Sequence, residues 1–268
     1  STLIDKPINF STTHNKDTRF TNLNNVEIYN IKGVHPSGNE SFQINKIDPL
    51  NFGETVWVVK PEDLANIGAF FKTGVFCSTR TIAVSGDSLK SPKYFSTVIG
   101  SSISSLINND EINDINNYRF INGDPLSGSK VEYSDYIGFY NNCLSVIEEG
   151  NNYRMLGWLP FMYNSVPSLS KTSFSWLLSG AKKVNTNLNG EERAIVVTGE
   201  MEKYFPMDIF PMQLIKACIR GDIEKMESLG IYEVVPEDFG LVDFSCTSKI
   251  EAQEIIKSGI QIMLKEVG

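Results

Sequence analysis

The sequence predicts an α+β chain of several domains: a partial Rossmann-like α/β region, a β-grasp unit, a β-rich connecting region and a C-terminal helical domain. Three observations carry this prediction. The 268 residues exceed one typical compact domain. The first part alternates strand-like and helix-like stretches, as an α/β core does. The last third consists of helical apolar stripes closed by glycines. Changes of texture set the boundaries: a polar N-terminal segment over 1–23, the α/β region over 24–76, the β-grasp unit over 77–130, the connection over 131–203 and the helical domain over 204–268.

In NVEIYNI, Val26, Ile28 and Asn30 alternate with Glu27, Tyr29 and Ile31, which predicts a strand ending before Gly33. TVWVV, residues 55–59, predicts a second strand. The helix that follows starts at Pro61, carries Glu62 and Asp63 in its first turn and stops at Gly74, with Leu64, Ile67 and Phe71 on one face. From Thr79, the stretches TRTIAVSGD, KYFSTVIGSSISSLI and YRFINGDPLSG predict two short strands, a short helix and a further strand, which is a β-grasp order. Residues 132–161 and ERAIVVTGE, 192–200, predict more β segments, with EGNN as a turn.

The C-terminal helices show clearer punctuation. Leu214, Ile215, Cys218 and Ile219 share a face ahead of Gly221, and Asp222 caps a short helix. Ser248 and Glu251 have the spacing of a capping box before a helix striped by Ala252, Ile255, Ile256, Gly259 and Met263.

Composition excludes several function classes. A net charge of -8 leaves no basic stripe for phosphates, so nucleic acid is not an expected partner. No apolar run reaches the roughly 18 residues that a spanning helix needs, so any membrane contact is peripheral. Cys77, Cys143, Cys218 and Cys246 form no CxxC pair, which argues against zinc or iron–sulfur sites built by this chain alone. Isolated thiols without a secretory apolar segment predict a cytoplasmic location. The start at Ser1 without an initiator Met predicts a processed chain or part of a longer protein.

No stretch carries an enzyme signature. GVHPSGNE has glycines at 33 and 38 but not the G-x-G-x-x-G spacing that brings backbone amides to a pyrophosphate, and it lacks the lysine and hydroxyl of a P-loop. The residues alone favour a structural turn. His35 is one of two histidines and has no assignable Ser or Cys and Asp partners. Cys246 has two readings: a thiol activated at the start of the last helix, or a buried cysteine beside Phe244. Glu237 and Asp238 are neighbours that point apart, which predicts a solvated turn rather than a catalytic pair. Trp57, Trp158 and Trp176 read as core residues before they read as the lining of a quinone or flavin pocket. LSGS at 126–129 lacks the acceptor threonine of a covalent flavin site.

Taken in order, GVHPSGN, FGETVWVVKPEDLANIGAFFKTG, TRTIAVSGDSLKSPKYFSTVIGSSISSLI, NYRFINGDPLSGSK, MLGWLPF and the block from Gly190 to Lys249 resemble the NqrA family of Na+-translocating NADH:quinone oxidoreductases. The last block is the most specific. The resemblance implies that the chain matches the C-terminal part of longer family members and that its β-grasp unit is of the SLBB type. It also implies kinship with the NADH-oxidising flavoprotein of respiratory complex I and its counterpart in Rnf complexes. In those relatives the loop matching Gly33 to Glu40 helps form a flavin and NADH site, and the helical end ligates clusters. Here the loop lacks the paired acids and glycines of such a site, and the cysteines are too scattered for a cluster.

The resemblance therefore implies that no cofactor is bound by this chain alone, with NADH, FAD or FMN and iron–sulfur groups belonging to other subunits. It implies a peripheral component on the cytoplasmic face of the bacterial inner membrane, within a six-subunit complex that passes electrons to ubiquinone or menaquinone. Such a chain is an enzyme only as part of that complex. Its role would concern quinone reduction and assembly. The candidate quinone contacts are His35, Gly38, Asn39 and Phe42, which offer amide and ring donors and a stacking surface, with Cys246 as a second region. The alternative is a free-standing SLBB module that binds a soluble ligand without redox chemistry.

Overall fold

In chain order the elements are strands β1 (Ile8–Thr12) and β2 (Val26–Asn30), helices α1 (Glu40–Ile47) and α2 (Pro61–Thr73), strands β3 (Thr79–Ser85) and β4 (Lys93–Val98), and helix α3 (Ile103–Leu106). There follow β5 (Tyr118–Asn122), β6 (Ser129–Val131), β7 (Cys143–Glu148), α4 (Glu200–Tyr204), α5 (Pro211–Arg220), α6 (Ile223–Ser228), α7 (Gly240–Ser245) and α8 (Ala252–Glu266). The structure is a computed structural model that describes residues 8–12, 25–107, 112, 114–150, 166–169, 171, 174–177 and 183–266. It is a mixed α and β protein of two compact units. One consists of Ser1–Val56, Glu202–Phe239 and Ala252–Gly268, and the other of Trp57–Met201 and Gly240–Glu251.

In the first unit β1 and β2 lie parallel, with Ile8 opposite Val26 and Thr12 opposite Asn30. β1 falls in the segment that reads as polar from the sequence. The core forms on α5, α6 and α8. Pro211 opens α5, and Gly221 closes it in the left-handed conformation, its N–H donating to the Ala217 and Cys218 carbonyls. Met212, Leu214, Ile215, Ala217 and Cys218 are buried, whereas Ile219 lies past the edge of the stripe and is exposed. Asp222 caps α6 by accepting the Lys225 N–H at 3.2 Å. Ala252, Ile256, Gly259 and Met263 are the buried stripe of α8, and Ile255 is only half-buried. A Cβ on Gly259 would stand 2.5 Å from the Cys218 Sγ and 3.3 Å from the Met226 Sδ, so this glycine permits the close meeting of α5, α6 and α8.

The second unit holds a five-stranded sheet in the order β4-β3-β7-β5-β6. β3 pairs antiparallel with β4 and parallel with β7, and β5 pairs antiparallel with both β6 and β7. Ile82, Val84, Phe120, Leu144 and Val146 form its apolar face, covered by Ile103 and Leu106 of α3. The predicted run of two strands, a short helix and a strand is present. The sheet also takes in β6 and β7, so its central strand comes from beyond residue 130.

Several local expectations fail for physical reasons. TVWVV makes no strand: it has no pairing partner among the described residues, and Trp57 is 89% exposed. β-branched residues favour a half-buried pleated surface, and without one they specify little. α2 forms with Pro61 and Gly74 at its ends, but its face of Leu64, Ile67 and Phe71 is not buried. Polar contacts hold it instead. Asp63 pairs with the buried Arg80, Glu62 accepts the Thr81 N–H at 3.2 Å, and Lys60 donates to the Tyr140 carbonyl at 3.3 Å. ERAIVVTGE is also not a strand: Val196 and Val197 are exposed, while Arg193 donates its N–H to the Ser248 carbonyl at 2.8 Å. The Ser248 hydroxyl donates to the Ala194 carbonyl, so no capping box forms, and α8 begins only at Ala252. Trp57 and Trp176 are exposed rather than core. The predicted β segment at 151–161, with Trp158, lies outside the described residues.

Candidate functional site

The loop from Gly33 to Asn39 belongs to the first unit, as do α1 and the two short turns Ile231–Glu233 and Pro236–Phe239. Gly33 has φ +154°, and a Cβ there would stand 3.0 Å from the Ser37 Cβ and Oγ, so the loop requires glycine at that point. Gly38 carries no such requirement, because a Cβ there meets nothing within 4 Å. The loop closes through Ser37 N–H to the Val34 carbonyl at 3.0 Å and Asn39 N–H to the Pro36 carbonyl at 2.8 Å. The Asn39 backbone amide is therefore committed and is not available to a ligand. Gly38 N–H and the exposed His35 ring have no partner among the described residues. Phe42 is half-buried, with the Lys46 ammonium 5.7 Å from its ring centroid.

Asn39 precedes α1 but does not cap it with its side chain. Its amide turns to the Asp238 carboxylate, donating from Nδ2 to Oδ1 at 3.4 Å. The Ser41 hydroxyl donates to the same oxygen at 2.5 Å, and the Val235 N–H donates to Oδ2 at 3.0 Å. One turn further along α1, Asn45 Nδ2 donates to Glu233 Oε2 at 2.6 Å. Asp238 is 1% exposed, which overturns the solvated turn expected from the sequence. A buried carboxylate is tolerated because donors surround it. No sequence signal marks Asp238, since its principal partners are remote in the chain.

Burial raises the Asp238 pKa above the ordinary carboxylate value, and the nearby Glu40 charge adds to the rise. Ser41, the Val235 N–H and Asn39 pull the other way without cancelling it. The folded value thus lies above the unfolded one. The stability contribution of this group is fully present below the unfolded value and is lost as pH rises through the folded value. The stability of the parent relative to Asp238→Asn is therefore expected to increase as pH falls from neutral towards the ordinary carboxylate range. Urea midpoints measured across that range check this, and a difference that does not vary with pH rejects it.

Cys246 lies elsewhere, in the second unit. It is 4% exposed and follows α7, its N–H donating to the Val242 carbonyl at 2.9 Å. The thiol thus sits at the C-terminal end of a helix, not at the start of α8, and the expected activation by a helix N-terminus has no basis there. The adjacent Lys249 has its pKa lowered, chiefly by burial. In the first unit Cys218 is buried, and burial pushes its thiol up to about 11. Among the described residues no group of three or more His, Cys, Asp or Glu is placed to hold a metal ion. No described helix is long and apolar enough to cross a membrane.

Comparison with known proteins adds two family models. One described as the NqrA second alpha/beta domain matches residues 1–76, and one described as the NQRA C-terminal domain matches residues 81–133. Among similar curated proteins is the NqrA chain of the Na(+)-translocating NADH-quinone reductase of Neisseria meningitidis serogroup B, 33% identical over 271 residues, covering 99% of this chain and 59% of the relative. The protein of the same name from Haemophilus influenzae is 34% identical over 262 residues, covering 97% of this chain and 58% of the relative. The chain thus spans somewhat under two thirds of the length of the relatives it matches.

Proposed function

We propose, from the premise that this chain belongs to the NqrA family, that it serves in a Na+-translocating NADH:quinone reductase as the quinone-side part of the NqrA component. The observation that carries this reading is identity at the level of one residue in three along almost the whole chain to proteins so named. The chain acts as a peripheral component on the cytoplasmic face of the bacterial inner membrane, in a complex of six subunits. NADH, flavins and iron–sulfur groups are handled by the other subunits. The sheet of the second unit supports an SLBB-type β-grasp assignment for 77–130 extended by β6 and β7, and β1, β2 and α1 support a partial Rossmann-like region before it.

The quinone surface in this reading is the loop and the start of α1. A quinone head group is planar and apolar with two carbonyl acceptors, so it needs a flat contact and one or two donors. Phe42 supplies the flat contact. Gly38 N–H, the His35 ring and the remaining Asn39 amide proton supply donors. The buried Cys246 is a weaker candidate, since a quinone would first have to uncover it. Purification of the tagged chain from detergent-solubilised membranes of a bacterium that encodes the whole complex tests the assignment. The other subunits and quinone reductase activity are expected to follow the tag. A stable monomer that brings no membrane protein with it and binds a soluble small molecule or glycan would sink the proposal in favour of a free-standing SLBB module.

A further inference from the structure

α1 has no buried residue, so apolar burial does not fix its position. Its attachment is polar and comes from one place. Ser41 and Asn45, four apart and therefore on one face of the helix, donate to Asp238 and Glu233 of the two short turns. Asn39, at the junction of loop and helix, donates to the same Asp238 oxygen as Ser41. Of the two acceptors Asp238 is the buried one, and the Val235 N–H fixes its second oxygen so that the carboxylate cannot turn away. Phe42 and Lys46 lie a helical step round from the anchored face.

We propose that Asp238 is a positioning residue: it holds the loop from Gly33 to Asn39 and the first turn of α1 so that Gly38, His35 and Phe42 present one surface to a quinone. The quinone part rests on the reading above, while the positioning part stands on the hydrogen bonds alone. Charge-assisted hydrogen bonds to a carboxylate are the stronger kind, and here they replace the apolar contacts that would ordinarily seat a helix. Removing the acceptor or the Ser41 donor frees the loop while α5 and α8, which are held by their own core, keep their packing.

The test uses the purified 268-residue chain, with Asp238→Ala, Ser41→Ala and Ser41→Thr, the last of which keeps the hydroxyl. Amide exchange over residues 33–47 is expected to rise about tenfold or more in the two alanine variants and to stay at the parent level in Ser41→Thr, with the amides of α5 and α8 unchanged in all three. If Asp238→Ala does not fold, the Ser41 pair carries the comparison. A photoreactive ubiquinone analogue, competed with unlabelled ubiquinone, is expected to mark residues 33–42 in the parent and in Ser41→Thr and to lose that adduct in the alanine variants. Exchange over 33–47 that does not respond to the alanine variants overturns the positioning role. Changed exchange with an unchanged adduct overturns its bearing on the ligand. Absence of any competable adduct in the parent overturns the quinone reading and leaves positioning to be decided by exchange.

Discussion

Phe239→Ala is expected to lower the unfolding free energy by about 3–5 kcal/mol, the usual range for deleting a buried aromatic ring. Phe239 is fully buried, and its ring centroid lies 4.7 Å from that of Phe205 in a tilted arrangement. Such a pair contributes packing beyond the area it buries. The surrounding side chains include rigid helical residues that cannot close the cavity without moving a backbone. The loss should extend further, because Phe239 is the last residue of the turn that carries Asp238. If that turn shifts, the anchor of α1 shifts with it. Phe239→Leu keeps much of the volume and should cost clearly less. Urea denaturation of the two variants checks the pair, and a Phe239→Ala midpoint within error of the parent would reject the placement of this ring in the core.

What could be read in the sequence was local. α5, α6 and α8 follow from apolar stripes and from signals within one turn, Pro211, Gly221 and Asp222, and all three signals act as read. β3, β4, α3 and β5 follow likewise from alternation and glycine turns. What could not be read depends on a partner. The strand β1 exists because β2 lies beside it, while TVWVV, with better strand residues, has no such neighbour among the described residues and forms none. The pairing of β3 with β7 joins stretches far apart in the chain, which periodicity cannot indicate. The candidate loop was legible as a loop, and its lack of a dinucleotide fingerprint was legible too. Its attachment was not: two adjacent acids in PEDF look solvated until Ser41 and Asn39 arrive from the other end of the chain. The stripe of α8 was misplaced by one residue at Ile255, because a single helical step separates the half-buried from the buried face.

Gly86→Ala is expected to be the most damaging substitution in the second unit. Gly86 follows β3 directly and has φ +133°, and an added Cβ would stand 1.9 Å from the Val146 carbonyl oxygen and 2.7 Å from its C and N. The obstacle is backbone, so no rotamer change relieves it. Nor can the backbone retreat easily: β7 is paired on one side with β3, where Ser85 faces Ser145, and on the other with β5, where Phe120 faces Val146. The variant must therefore open the end of the β3–β7 ladder or carry both overpacking and a backbone conformation that side chains disfavour, together about 2–6 kcal/mol. Gly100→Ala separates the two contributions. Gly100 has φ +74° with nothing within 4 Å of its would-be Cβ, so it bears only the left-handed backbone cost, about 1–2 kcal/mol. Thermal and urea unfolding of both variants are expected to place Gly86→Ala well below Gly100→Ala, with amide protection lost first along β3 and β7. Equal losses in the two variants would mean that the close approach of Gly86 to Val146 does not constrain this sheet.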